Sequence, residues 1–89
     1  MKNNLARTII ELKESNNLNE KETIRLKRIF NSNDVDVVIA CISNQIEKVK
    51  KYLNEGYDIS ICNGKVLRYT VSEGYVELSC LLLRNGIEP

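Results

Sequence analysis

The cysteines Cys41, Cys62 and Cys80 are the strongest nucleophiles in this 89-residue chain, and the chain has no histidine to activate them. A thiol or hydroxyl nucleophile needs a base within hydrogen-bond reach. Without imidazole the Cys-His and Ser-His arrangements are excluded. The same absence, with no CxxC pair, removes the usual zinc ligand sets. An odd number of scattered cysteines fits a reducing, cytosolic compartment. No GxxxxGK loop is present to cradle a phosphate. Paired carboxylates such as Asp34 and Asp36 have the types for a general acid and base, but a helix cap and a first-turn charge explain them more simply. The expectation is therefore a protein that is not an enzyme, with no catalytic residue, no metal ligand and no cofactor.

Two basic clusters invite a second chemistry. Arg25, Lys27 and Arg28 lie close together, as do Lys48, Lys50 and Lys51. Each cluster is spread around its helix by the 3.6-residue turn, and Glu20, Glu22, Glu47 and Glu55 are interleaved with them. The formal net charge is only +1, so no overall field draws the chain to phosphates, and no aromatic stacking motif accompanies the clusters. Solvated helix faces are the simpler reading. A nucleic-acid-binding regulator that uses the basic second helix as part of a helix-turn-helix is the alternative.

With 43% hydrophobic and 28% charged residues, one Pro and four Gly, the composition is that of a soluble globular domain rich in helix. At this length a single core only just offsets chain entropy, so some apolar surface is expected to stay exposed. Glu11, Lys13 and Glu14 interrupt the N-terminal apolar residues, leaving no signal-peptide core. No run approaches the roughly 20 apolar residues of a membrane span. The expected location is cytoplasmic, with no membrane contact.

Six helices must position whatever these residues do. Leu5, Ile9, Ile10 and Leu12 recur at helical spacing within residues 4–15, and Asn16, Asn17 and Asn19 make a turn. Asn19 followed by Glu22 forms a capping box before Ile24, Leu26, Ile29 and Phe30, in a second helix ending near Asn31. Asn33 and Asp34 are N-cap candidates for the run from Val35 to Ile42. Its β-branched residues suit a strand equally well, but the following Asn44, the helical pattern Ile46, Val49, Tyr52 and Leu53, and Gly56 favour a short helix, a tight turn and a longer helix. Residues 57–65 have no helical period and read as an extended or hairpin-like link. Asn63 then caps a helix with Val66, Leu67, Thr70 and Val71, Gly74 turns the chain, and a helix from Val76 to Asn85 ends at Gly86.

The last two pairs repeat each other. Ile46, Glu47, Leu53 and Gly56 return as Val76, Glu77, Leu83 and Gly86, each 30 positions later. A period of this length is the mark of stacked supersecondary units. Cys41 aligns with Val71, which predicts a core position, and Cys80 aligns with the more exposed Lys50.

The run Leu67, Arg68, Tyr69, Thr70, then Gly74, Tyr75, Val76, Glu77, Leu78, Ser79, Cys80, Leu81, Leu82, Leu83, Arg84, Asn85, Gly86 resembles an ankyrin repeat. That family has a Leu-His-x-Ala helix, a glycine turn, a Leu-Glu-Ile-Val-x-Leu-Leu-Leu helix and a closing glycine. Residues 37–59 match more weakly, through Val37 to Ala40, Asn44 to Val49 and Leu53 to Gly56. The repeat is 30 residues rather than 33, the usual Thr-Pro-Leu-His start is reduced to Lys65, Val66, Leu67 and Arg68, and residues 1–33 carry no such signature. The implied fold is all-α, a single domain of stacked helix-turn-helix pairs forming an ankyrin-like solenoid. Residues 1–33 would be an N-terminal helical hairpin cap, 34–59 the first repeat and 60–89 the second.

Small residues at Ala40 and Thr70 permit close helix approach, and Gly74 and Asn44 suit a left-handed backbone turn. The resemblance implies a module that binds a protein partner stoichiometrically through the hairpin link and the shorter helix, at Tyr57, Ser60, Ile61, Asn63, Lys65, Arg68, Ser72 and Glu73. Short proteins of this kind in viruses and phages imply, in turn, an inhibitor of a host defence protein acting in the host cytoplasm. Lys48, Lys50 and Lys51 become Leu78, Cys80 and Leu81 in the second copy. Leu78, Leu81 and Leu82 would thus form an uncovered apolar end, expected to make a homodimer.

Overall fold

In the chain order of a computed structural model, describing residues 5–57 and 63–86, six helices follow one another: α1 (Leu5–Glu14), α2 (Glu20–Ile29), α3 (Ser32–Ile42), α4 (Ile46–Asn54), α5 (Asn63–Ser72) and α6 (Val76–Arg84). No strand occurs among the described residues. The chain is therefore all-α. Its radius of gyration, 11.9 Å, is close to the roughly 12 Å expected of a packed globule of this length.

The helix ends follow from local chemistry. Asn19 caps α2, its side-chain oxygen accepting from the Glu22 N–H at 3.0 Å, as the capping box predicts. The cap of α3 is Asn31, whose Oδ1 accepts from the Asn33 N–H at 2.9 Å. The helix thus starts earlier than Asn33 and Asp34 suggested, because an asparagine two residues upstream already satisfies a free N–H. The predicted link over residues 57–65 is also shortened, since α5 begins at Asn63; residues 58–62 lie outside the described residues.

Four helices end in the same way. Asn16, Asn44, Gly56 and Gly74 all have positive φ, and in each case the next N–H donates to the carbonyl five residues back: Asn17 to Leu12, Gln45 to Ala40, Tyr57 to Tyr52 and Tyr75 to Thr70. This is the Schellman closure, in which a left-handed residue turns the chain and satisfies an orphan carbonyl. Asn44, at φ 57°, occupies the conformation that Gly74 takes at φ 78°. Asn16 does so after α1, giving the first pair the same turn that the two repeats share.

Helices α1, α3 and α5 pack against one another and form the centre, with α2 and α4 laid on α3 and α6 on α5. Val35, Val37, Val38, Ala40, Cys41 and Ile42 are all buried because α3 has helices on four sides. The β-branched run is helical because burial on nearly every face, rather than intrinsic propensity, sets its conformation. Ala40 and Thr70 are both buried. Lys13 ties the centre together: its Nζ donates to the Ile42 carbonyl at the end of α3, at 2.8 Å, and lies 5.9 Å from the Tyr69 ring centroid on α5. A cation at a helix C-terminus is favourable there.

One expectation is corrected. Leu78 and Leu82 do not form an uncovered end: both are fully buried, and Leu81 is half-buried, because this face of α6 is turned onto α5. On α2 only Leu26 is buried, with Phe30 packed beside the core. These two, four residues apart, share the stripe facing α3, whereas Ile24 and Ile29 are exposed.

Candidate protein-binding surface

Two of the exposed large apolar side chains, Val71 and Val76, lie at the turn between α5 and α6. Gly74 bends the chain there, and Val71, Tyr75, Val76, Ser79 and Cys80 line with it a concavity of about 200 Å³. Val71 is 60% exposed and Val76 72%. The floor is fixed by a buried hydrogen-bond chain: the Ser79 hydroxyl donates to Thr70 Oγ1 at 2.9 Å, and the Thr70 hydroxyl donates to the Leu67 carbonyl at 2.9 Å. Tyr75 meets Tyr69 edge-on, with centroids 6.4 Å apart. The concavity therefore has a rigid base and an apolar rim, bordered in sequence by the exposed Glu73 and Glu77.

Cys41 is buried, as its place in a repeat helix predicts, whereas the aligned Val71 is exposed. α3 is covered by α1, α2, α4 and α5, while α5 is covered by α1, α3 and α6. Equivalent sequence positions thus have different surroundings. Burial pushes the Cys41 thiol up to about 12, so it stays protonated and inert at neutral pH. Cys80 is exposed, as its alignment with Lys50 suggests; Cys62 lies outside the described residues.

A second depression, of about 250 Å³, runs between α1 and α5. Lys65, Arg68 and Ser72, three of the residues implicated by the family resemblance, line it together with Ile10, Glu11, Glu14 and Tyr69. Cations from α5 and carboxylates from α1 face the same space, so it is a mixed-charge groove and not an anion site. Burial, and then Glu73, raise the Tyr69 hydroxyl above its ordinary range, so this phenol remains a hydrogen-bond donor at neutral pH.

The remaining implicated residues are dispersed. Glu73 is exposed at the turn, on the way to the apolar concavity. Tyr57 belongs to the end of α4, where its ring lies 5.1 Å from that of Tyr52. Ser60 and Ile61 lie outside the described residues; Asn63 opens α5, and its side chain is likewise outside them. Val71 and Val76 were missed as surface residues because their spacing fits the core pattern of a helix pair.

On α2, Lys27 is paired with Asp36 at 3.2 Å and Arg25 with Glu22 at 4.0 Å. Among the described residues no cluster of His, Cys, Asp and Glu is arranged to hold a metal ion, and no helix is long and apolar enough to cross a membrane. No known family model, curated protein or solved structure matches the chain.

Proposed function

We propose that this chain is a protein–protein interaction module that acts by stoichiometric binding, with α5 and the α5–α6 turn as its binding face. The observation that carries this reading is the exposed apolar rim of Val71 and Val76 over the Ser79–Thr70 hydrogen bond, with Glu73 exposed in the turn and Arg68 and Ser72 lining the groove on the α1 side of the same helix. Apolar anchors with a polar border are what a protein partner uses, and an apolar patch on a small protein marks such a contact. The packing of α3 on α5, with α4 and α6 completing each pair, supports the ankyrin-like reading of residues 34–89. Inhibition of a host protein by a viral one is a use consistent with this surface, since occlusion needs affinity and no chemistry.

Self-association belongs to the same reading, with the exposed Val71, Val76 and Cys80 as one side of the contact in place of the buried Leu78 and Leu82. Nucleic-acid binding has less support. Arg25 and Lys27 already face carboxylates, and α2 packs mainly on α3. Titration against duplex and single-stranded DNA at low and physiological salt tests it; strong salt-dependent affinity would restore that alternative.

The interaction reading is tested by immobilising the wild-type chain in lysate of its source cells, beside the variant R68E/V71D/V76D. A protein retained by the wild type in near-equimolar amount and lost by the variant is expected, with identical circular dichroism of the two baits. Retention by both rejects this face. Absence of any equimolar protein rejects the module.

A further inference from the structure

A second exposed apolar patch lies on α2. Ile24 is 48% exposed and Ile29 62%, although both sit in a helix whose Leu26 and Phe30 pack inward. Around them, Lys21, Arg25 and Arg28 line the same shallow concavity; its single acid, Glu22, lies 4.0 Å from the largely exposed Arg25, so three cations face one carboxylate and the patch stays net basic. Exposed isoleucine costs solvation free energy on a monomer and gains it only when covered. The surrounding cations select what covers it.

This molecule carries a surface of the opposite kind. The Val71 and Val76 rim at the α5–α6 turn is bordered by Glu73 and Glu77, both exposed and neither held in an ion pair among the described residues. One patch is aliphatic and basic, the other aliphatic and acidic, and they belong to different helix pairs. α2 is laid on α3 and α6 on α5, so both patches are presented outward by the central helices.

We infer that the occupant of the α2 patch is a second copy of this chain, docked through its α5–α6 turn. Ile24 and Ile29 of one copy would meet Val71 and Val76 of the next, with Lys21, Arg25 and Arg28 opposite Glu73 and Glu77. Because the two surfaces differ, the contact is heterologous: each copy uses one patch as donor and the other as acceptor, and two such contacts close a pair or continue a row. The aliphatic residues supply the affinity, and the charges set the register and exclude like-with-like pairing. This inference rests on the interaction reading above and names its partner, and it also adds α2 as a face that reading does not use.

Sedimentation velocity over a wide concentration series, at low salt and again at about 0.5 M salt, reads the association directly. The wild type is expected to sediment faster as concentration rises, and less so at high salt, where surface charges are screened. The variants R25E/R28E and E73K/E77K each place like charges across the contact and are expected to weaken it at least tenfold. An equimolar mixture of the two variants restores opposite charges at every contact and is expected to associate again. Unchanged circular dichroism and melting temperature establish that the exposed substitutions leave the fold intact.

A wild type that stays monomeric throughout overturns the inference, as does undiminished association of either variant or failure of the mixture to recover. These outcomes are separate from the lysate experiment. A monomer that still captures an equimolar foreign protein keeps the interaction module and discards the second copy as its partner.

Discussion

Cys41 shows how a single side chain records its surroundings. Its thiol is wholly enclosed by α3 and the helices around it, and loss of solvent alone raises its pKa from 9.0 to about 12. In the unfolded chain the thiol ionises near 9.0; in the folded chain it holds its proton to about 12. Between those values unfolding releases a proton, so rising pH favours the unfolded state. The contribution is constant below pH 9 and declines above it by about 1.4 kcal/mol per pH unit. Tyr52 and Tyr69, both raised chiefly by burial, act with the same sign at higher pH. Urea unfolding at pH 8, 9.5 and 10.5 should show this alkaline loss, and Cys41→Ala should flatten its first part. An equal slope in the alanine variant would place the titration elsewhere.

Between elements, the α5–α6 pair is held by more than apolar contact. Thr70 both accepts the Ser79 hydroxyl and donates to the Leu67 carbonyl, so one buried threonine links the two helices beneath the candidate surface. Thr70→Val keeps the shape but leaves the Ser79 hydroxyl without its acceptor, which should cost about 1–3 kcal/mol. Removing both hydroxyls in T70V/S79A should recover part of that loss, because no stranded donor remains. Chemical denaturation of the two single variants and the double variant measures the coupling. Strict additivity would mean that the bond contributes nothing.

For the whole molecule, the decisive feature is the position of α1. As the outer half of a cap on a linear stack it would touch only its neighbouring pair, yet it packs on both α3 and α5 and buries Leu5, Ala6, Ile9 and Ile10. A row of repeats contacting only nearest neighbours tolerates loss of a terminal unit better than a closed arrangement does. Residues 19–89 without α1 should therefore lose cooperative melting. Ile9→Ala, which empties a fully buried site, should destabilise the full chain by about 2–5 kcal/mol. A truncated chain that melts cooperatively near the wild-type temperature would show that α1 is an accessory element.

Much of the local structure was legible in the residues themselves. Helical periodicity, the Asn19 cap and the Asn44 and Gly74 turns depend on neighbours a few positions away, and all six helices can be read from them. The 30-residue recurrence showed which helices correspond. It did not show that corresponding helices have different numbers of neighbours. That is why Cys41 is buried while Val71 is exposed, and why Leu78 and Leu82 are core residues instead of an open end. Ile24 and Ile29 likewise fit an inward pattern until the crossing of α2 over α3 selects Leu26 and Phe30. Similarly, the groove that gathers Lys65, Arg68 and Ser72 needs α1 as its opposite wall, and α1 lies more than 50 residues away in the chain. The sequence alone determined the helices and their turns, because these are set by residue type and short spacing. Only the tertiary structure decided which apolar faces are covered, because coverage depends on how many helices reach each side of another.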